Sequence, residues 1–200
     1  FVLGGILQLY KESKFFAENQ AAHRWEKHRG LRELSGKTAC IIGTGSVGSA
    51  IARRLRAFDV QTVGINRSGH PATEFDQTQP TCRLDDLLPL ADLVICAMPL
   101  TAETAGLFDS VRLAKIKPGA VFVNVARGKV TDQQALAEAL QSGQLSGAVL
   151  DVFEEEPLPR SSPLWDMEQV ILTPHNSFVG EHNGERLFRL ICKNLESFAQ

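Results

Sequence analysis

A glycine-rich loop between an apolar segment and a helical pattern constrains this chain more than any other feature. The loop reads Gly43-Thr44-Gly45-Ser46-Val47-Gly48, which matches G-x-G-x-x-G. It follows the apolar run 39–42 and precedes apolar residues at helical spacing. In that context the first glycine permits a tight turn, the second admits a pyrophosphate, and the third lets the helix pack on the strand. The segment therefore predicts a dinucleotide-binding strand–loop–helix unit.

The rest of the chain continues this alternation of strands and helices. Apolar runs at 60–65, 93–97, 120–125, 147–150 and 170–172 predict strands, with helices expected at 84–90, 108–116, 132–140 and 180–198. Such alternation is typical of an α/β fold, a Rossmann-type doubly wound parallel sheet with helices on both faces. The pattern before it predicts one amphipathic helix over 1–25, and the polar segment 71–80 predicts a loop. Thr131 is the expected cap of the helix at 132–140.

The end of the second predicted strand bears on the choice of coenzyme. An acidic residue at this position normally binds the ribose 2′-hydroxyl of NAD. Here Asn66 stands in its place, followed by Arg67 and Ser68. A guanidinium forms charge-assisted hydrogen bonds with a phosphate, whereas a carboxylate repels one. The sequence favours NADP over NAD, and the alternative is that Arg67 is one more solvated surface charge.

Three chemically useful side chains follow later predicted strands. Arg127 follows the strand at 120–125, Glu156 lies beyond the strand at 147–150, and His175 follows 170–172. Ligands bind at the carboxyl ends of parallel strands. A guanidinium can hold a substrate carboxylate, a histidine can donate a proton, and a carboxylate beside that histidine favours its charged form. The set suits hydride transfer to a 2-oxo acid. Taken singly, each residue also fits a structural role: a cap for carbonyl groups, a solvated acidic face, and a packed histidine.

Charge and cysteine content exclude several classes of function. The formal net charge of −2 gives no basic surface for nucleic acid or for an anionic membrane. The four cysteines form no C-x-x-C pair and no zinc-finger spacing, so we expect no metal site and a reducing, cytoplasmic environment. No apolar run approaches the length needed to span a bilayer.

With these motifs in order, the chain resembles the D-isomer-specific 2-hydroxyacid dehydrogenases from about Trp25 to the last predicted helix. The resemblance is carried by the segments LSGKT (34–38), the glycine loop, MPLT (98–101), KPGA (117–120), NVARG (124–128), LDVFEEEP (150–157) and TPH (173–175). It implies an oxidoreductase in which Arg127 binds the substrate, His175 is the catalytic histidine, and Glu156 pairs with it. The formate dehydrogenase branch typically has glutamine where Glu156 stands, which disfavours formate as the substrate.

The predicted contacts with the coenzyme have two sources. The residues themselves indicate Gly43, Gly45 and Gly48 of the loop, together with Asn66, Arg67 and Ser68, where Asn66 and Arg67 replace the acidic end that is usual in the family. The resemblance adds Ser46, Val47, Met98, Pro99, Val125, Ala126 and Asp151.

Members of this family carry an N-terminal substrate domain, which we expect to be absent from this chain. We expect residues 1–34 to form an interdomain helix and linker, and residues 35–200 to form the Rossmann domain. The protein is then expected to be a cytoplasmic, homodimeric enzyme that acts on a 2-oxo or 2-hydroxy acid, with the individual acid left open. Two alternatives remain: an NAD-dependent enzyme like phosphoglycerate dehydrogenase, and a dinucleotide-sensing binding protein like the C-terminal-binding-protein corepressors.

Overall fold

The computed structural model describes residues 1–198, which form a single sheet with helices on both faces. The strands are β1 Thr38–Ile42, β2 Gln61–Asn66, β3 Gln77–Pro80, β4 Leu93–Cys96, β5 Ala120–Asn124, β6 Leu145–Leu150 and β7 Val170–Leu172. The α-helices are α1 Val2–Tyr10, α2 Ser13–Ala21, α3 Ser46–Arg56, α4 Leu84–Leu87, α5 Ser110–Lys115, α6 Gln133–Gln141 and α7 Asn183–Phe198.

The seven strands are all parallel and lie in the order β3-β2-β1-β4-β5-β6-β7. This is the Rossmann order of 3-2-1-4-5-6 with one further strand at the far edge. The chain leaves β1 toward one edge and later returns to its other side with β4. That reversal opens a crevice at the carboxyl ends of β1 and β4, where the glycine loop begins. The predicted Rossmann-type doubly wound sheet is confirmed.

Apolar side chains pack in two layers, one on each face of the sheet. Alternation along β1 sends Ala39 and Ile41 to one layer, with α1 and α3, and sends Cys40 and Ile42 to the other, with α5 and α6. Both layers contain fully buried residues, such as Ile41 in the first and Phe122 in the second. The central strands are buried on both faces, as expected for a parallel sheet, and they provide a rigid base for the loops at their carboxyl ends.

The N-terminal segment differs from the single helix predicted over 1–25. It forms two helices, α1 and α2, because Glu12 adopts a left-handed conformation with φ 49° between them. The first helix buries Val2, Ile6 and Tyr10 against the sheet layer that contains α3. In α2 only Asn19 is buried. The first helix thus packs as part of the sheet's own core.

Two further predictions of local structure were wrong. The segment predicted as a loop over 71–80 contains β3, which pairs with β2 through residues such as Val63 and Gln77. This is a polar edge strand without alternating apolar residues, so its backbone hydrogen bonds, and not side-chain burial, hold it in place. Asp132, and not Thr131, caps α6, since its carboxylate accepts a hydrogen bond from the Ala135 amide at 2.9 Å.

The last helix, α7, begins at Asn183, later than predicted, and none of its described residues is buried. Positions 199 and 200 of the predicted domain lie outside the described residues. No helix within residues 1–198 is long and apolar enough to cross a membrane.

Candidate active site

The glycine loop joins β1 to α3 with geometry that suits a pyrophosphate. Gly43 has φ 107°, a left-handed conformation that glycine adopts freely, and a Cβ there would lie 2.5 Å from the Ala97 carbonyl oxygen. A Cβ at Gly48 would collide with the Gly43 carbonyl, whereas a Cβ at Gly45 would meet only open space. Gly45 is the N-cap of α3, and no side chain among the described residues caps that helix. Its first amide groups are therefore available to an anion, and a dinucleotide pyrophosphate fits this cradle.

The segment after β7 is anchored by Asp151, which is fully buried at the end of β6. Oδ1 of Asp151 accepts hydrogen bonds from the Thr173 hydroxyl at 2.6 Å and from the Asn176 amide at 2.8 Å, while Oδ2 accepts one from the Ser177 amide at 2.9 Å. The His175 amide donates to the Asp151 backbone carbonyl at 2.8 Å. Burial raises the pKa of Asp151, but these hydrogen bonds outweigh it and hold the pKa below the ordinary value. Asp151 is therefore an ionised anchor for the loop that carries His175.

His175 itself has φ 51°, a left-handed conformation that is uncommon for residues other than glycine. The anchored backbone on both sides of His175 maintains this conformation. Strained backbone of this kind clusters at functional sites, where the surrounding structure holds it. The consequence for the ring is that it turns toward the loop after β6, where Glu156 lies.

His175 and Glu156 form the closest pair of ionisable groups at the carboxyl ends of β6 and β7. The distance from Nδ1 of His175 to Oε2 of Glu156 is 2.8 Å, and the Phe153 amide donates to Oε1 of the same carboxylate at 3.0 Å. Burial raises the pKa of Glu156, but the hydrogen bonds from His175 and Phe153 lower it by more. The pKa of Glu156 therefore lies below its ordinary value. A carboxylate accepts hydrogen bonds, so Nδ1 carries the proton of this bond and Nε2 is left to face other groups.

Arg127 lies in the loop after β5, next to a glycine that packs closely on its neighbour. The Arg127 guanidinium is solvent-exposed, and its Nη1 donates to the Ala126 carbonyl at 2.7 Å. A Cβ at Gly128 would collide with the Phe153 carbonyl and would lie 2.5 Å from the Glu154 amide nitrogen. The Arg127 loop and the Glu156 loop therefore touch backbone to backbone, and a side chain at Gly128 would separate them.

Two adjoining cavities are lined by half of the predicted site residues. One, of about 770 Å³, is lined by Ser46 and Val47 of the glycine loop, by Val125 and Arg127, and by His175. The other, of about 330 Å³, is lined by Val47, Met98, Pro99, Val125, Ala126 and Arg127. Because Val47, Val125 and Arg127 line both, the two form one crevice along the carboxyl ends of β1, β4 and β5. Of the predicted catalytic residues, Arg127 and His175 thus face the same space.

Several predicted residues lie outside this crevice. Glu156 lies on the wall of an adjacent apolar cavity of about 510 Å³, together with Trp165 and Leu172, and His175 lines both this cavity and the crevice. Arg67 and Ser68 lie at the end of β2, with exposed side chains. The Asp151 carboxylate is buried among its three donors, so its predicted coenzyme contact stays a prediction.

Three contributors were missed by sequence reasoning. The Thr173 hydroxyl donates a hydrogen bond to the Asp151 carboxylate. Gly128 permits the close approach of the Arg127 and Glu156 loops. The Thr44 hydroxyl accepts a hydrogen bond from the Asn66 side chain at 3.2 Å. Each contact joins residues far apart in sequence. The polar Thr173, two residues before His175, was the only local signal available.

The arrangement offers a cationic group for a carboxylate and a carboxylate-paired imidazole on one crevice, beside a cradle for a pyrophosphate. Such a set can hold an anionic substrate and exchange a proton with it. Within residues 1–198, no group of three His, Cys, Asp or Glu side chains lies close enough to hold a metal ion.

Comparison with known proteins gives a consistent result. Residues 3–177 match the family model described as D-isomer specific 2-hydroxyacid dehydrogenase, NAD binding domain. The chain is 40% identical over 166 residues to the glyoxylate reductase of Pyrococcus furiosus, which covers 83% of this chain and 49% of that protein. The crystal structure of a D-isomer specific 2-hydroxyacid dehydrogenase family protein from Aeromonas salmonicida superposes with a TM-score of 0.91 at 37% identity, over 99% of this chain and 63% of that one.

A second structure contains a bound coenzyme. The NADPH-dependent glyoxylate/hydroxypyruvate reductase of Sinorhizobium meliloti, in complex with NADP and sulfate, superposes with a TM-score of 0.87 at 30% identity, over 99% of this chain and 63% of that one. The chain spans about half the length of these curated relatives.

Proposed function

The chain belongs to the D-isomer specific 2-hydroxyacid dehydrogenase family as its nicotinamide-coenzyme-binding domain, and from that we propose an activity for the full-length protein. It is an oxidoreductase that transfers a hydride between NADP(H) and a 2-oxo or D-2-hydroxy acid. Relatives of similar sequence are glyoxylate reductases, which supports a small 2-oxo acid as the substrate.

The observation that carries the proposal is the 2.8 Å pair of His175 and Glu156 beside the crevice that Arg127 lines. A histidine held by a carboxylate through Nδ1 has Nε2 available as a proton donor. An arginine on the same crevice can bind the carboxylate next to the reacting carbonyl. A protein that only sensed a dinucleotide would need neither group.

The chemistry assigned to these residues is acid–base catalysis with substrate positioning. When bound, the reduced nicotinamide coenzyme supplies the hydride. The Arg127 guanidinium holds the substrate carboxylate and orients the carbonyl carbon. Nε2 of His175 donates a proton to the carbonyl oxygen, which leaves a neutral imidazole and an alcohol. Glu156 stabilises the imidazolium before transfer, and in the oxidation direction the neutral imidazole takes the alcohol proton.

NADP(H) is favoured because of the residues that end β2. Asn66 brings no negative charge, and the exposed Arg67 and Ser68 can both donate to a 2′-phosphate. The relative from Sinorhizobium meliloti binds NADP, which supports this choice. Among the predicted contacts, Ser46 and Val47 hold the pyrophosphate, and Met98, Pro99, Val125 and Ala126 line the crevice toward the reacting end.

We also infer a two-domain, homodimeric protein in the cytoplasm. The relatives are about twice as long, and α7 exposes Leu187, Phe188, Leu190, Ile191 and Leu195, which fits a helix that packs on a second, substrate-binding domain. Trp25 is 96% exposed, which supports a subunit interface at the segment after α2. The four cysteines are free, as expected in a reducing compartment.

The test is turnover of a panel of 2-oxo acids by the full-length protein with NADPH and with NADH, followed by nicotinamide absorbance. We expect reduction of small 2-oxo acids, a higher kcat/KM with NADPH, and release of the D-isomer of the product. Tight dinucleotide binding without turnover of any acid in the panel would contradict the proposal and favour a binding protein.

A further inference from the structure

At the end of β2, both the oxygen and the nitrogen of the Asn66 side-chain amide form hydrogen bonds. Its Oδ1 accepts hydrogen bonds from the amides of Ser68 at 3.3 Å and Gly69 at 2.6 Å. Its Nδ2 donates to the His70 carbonyl at 2.9 Å and to the Thr44 hydroxyl at 3.2 Å. The first three contacts fold residues 66–70 into a tight turn, and the fourth joins that turn to the glycine loop.

The same turn is held from behind by the residues around the end of β3. The Thr78 hydroxyl donates to the Gly69 carbonyl at 3.3 Å, and the Thr81 hydroxyl donates to the Asn66 carbonyl at 3.2 Å. Gly69 has φ 75°, and a Cβ there would lie 2.9 Å from Cδ of Pro80. The edge strand therefore acts as a support for the turn, and the backbone at Arg67 and Ser68 is fixed on both sides.

Thr44 is fixed as well. Its carbonyl accepts a hydrogen bond from the Ser49 hydroxyl at 3.1 Å. Its methyl group packs closely on β2, since a Cβ at Gly64 would lie 2.7 Å from it. The hydrogen bond between Asn66 and Thr44 thus connects two segments that are each held by further contacts. One segment offers its amides to a pyrophosphate, and the other carries the side chains that face a 2′-phosphate.

We propose that Asn66 is a positioning residue that holds the glycine loop and the 66–70 turn as one unit and thereby determines the preference for a 2′-phosphorylated adenosine. The inference rests on the NADP(H) part of the proposed function. It differs from a charge argument, in which Asn66 matters only because it is not acidic. Aspartate keeps the two accepting contacts but loses both donating ones, and it would place a carboxylate oxygen against the His70 carbonyl.

Calorimetric titration of the full-length protein with two probes tests this inference. The probes, adenosine 2′,5′-bisphosphate and adenosine 5′-monophosphate, differ only in the 2′-phosphate. Asn66→Ala and Thr44→Val each remove contacts without adding charge. We expect each variant to bind the bisphosphate roughly tenfold more weakly than the wild type, which is the cost of one to two net hydrogen bonds. Its affinity for the monophosphate should change about twofold or less. Asn194→Ala, which removes the same amide from an exposed site on α7, is the matched control.

The outcomes separate this inference from the proposed function. If the wild-type protein binds both probes equally, the NADP(H) assignment itself fails. If the wild type prefers the bisphosphate and Asn66→Ala and Thr44→Val keep that preference, the assignment stands and the positioning role is overturned. Melting temperatures within a few degrees of the wild type show that each variant is folded. A loss confined to Asn66→Asp would show that charge alone decides, which also overturns the inference.

Discussion

Nδ1 of His175 lies 2.8 Å from Oε2 of Glu156, and the two residues reach each other from loops that follow different strands, β7 and β6. Each is held by its own backbone contacts: the His175 amide donates to the Asp151 carbonyl, and the Phe153 amide donates to Glu156. The pair is thus held in place by contacts within the fold itself. Preorganised groups of this kind need little rearrangement during a reaction.

Glu156→Gln is expected to shift the pH dependence of reduction. The pKa of Glu156 lies below its ordinary value, so the carboxylate is ionised at neutral pH and stabilises the imidazolium that donates the proton. Without the carboxylate the imidazolium loses the negative charge that favours it, so the rate of reduction is expected to decline at lower pH in the variant than in the wild type. An unchanged pH profile of kcat would remove Glu156 from this role.

His175→Ala is expected to abolish most turnover while coenzyme binding persists. Positioned proton donation contributes roughly a factor of 10² to 10⁴, and the glycine loop that holds the pyrophosphate does not depend on the imidazole. Steady-state kinetics and NADPH titration of the full-length protein measure the two effects separately. His182→Ala removes an exposed imidazole and serves as the control. Turnover within tenfold of the wild type would argue against His175 as the proton donor.

Asp151→Asn is expected to loosen the loop that carries His175. The NH2 group of the asparagine would be a donor that faces other donors, at Thr173, Asn176 or Ser177, so at least one hydrogen bond would be lost. A buried polar group left unsatisfied costs about 1–3 kcal/mol. In the wild type, the lowered pKa of Asp151 means that its stabilising contribution is complete above the ordinary value of 3.8 and is lost as pH falls through the folded value.

Amide hydrogen exchange checks this prediction. The protection factors of the Asn176 and Ser177 amides, which compare each exchange rate with that of an unstructured peptide at the same pH, should be lower in Asp151→Asn at neutral pH, and should fall in the wild type on acidification. Equal protection of these amides in both proteins at neutral pH would show that the carboxylate does not anchor the loop.

Gly128→Ala is expected to impair catalysis without unfolding the sheet. The added methyl group would collide with the Phe153 carbonyl and push the Glu156 loop away from the Arg127 loop. Displacement of catalytic groups by about 1 Å can cost roughly a hundredfold in rate. Gly4→Ala, in α1, adds the same methyl group to open space and is the control. The comparison of kcat at equal melting temperature is decisive, and wild-type kcat in Gly128→Ala would refute the coupling of the two loops.

The central sheet could be predicted because its strands are local apolar runs bounded by glycine and polar residues. Arg127, Glu156 and His175 could be proposed for the same reason, since each follows such a run. The strand β3 could not, because it is a polar edge strand stabilised by its pairing with β2. The roles of Asp151 and Asn66 also escaped prediction, since their partners at 173–177 and at Thr44 come close only after the chain has folded.

Arg67→Ala is expected to weaken the preference for NADPH over NADH. Arg67 lies in the turn that Asn66 folds and its side chain is exposed, so it is available to a 2′-phosphate. Hydrogen bonds to charged groups contribute roughly 1.5–3 kcal/mol, which corresponds to about a ten- to hundredfold loss in kcat/KM for NADPH. The value for NADH should change about twofold or less, because the 2′-hydroxyl carries no charge for the guanidinium to bind.

Arg53→Ala removes the same charge from an exposed position on α3 and controls for the general electrostatic field of the protein. Steady-state kinetics with both coenzymes measure the ratio directly. A ratio that is equal in the wild type and in Arg67→Ala would exclude Arg67 from the 2′-phosphate site, and a wild type that prefers NADH would refute the choice of coenzyme.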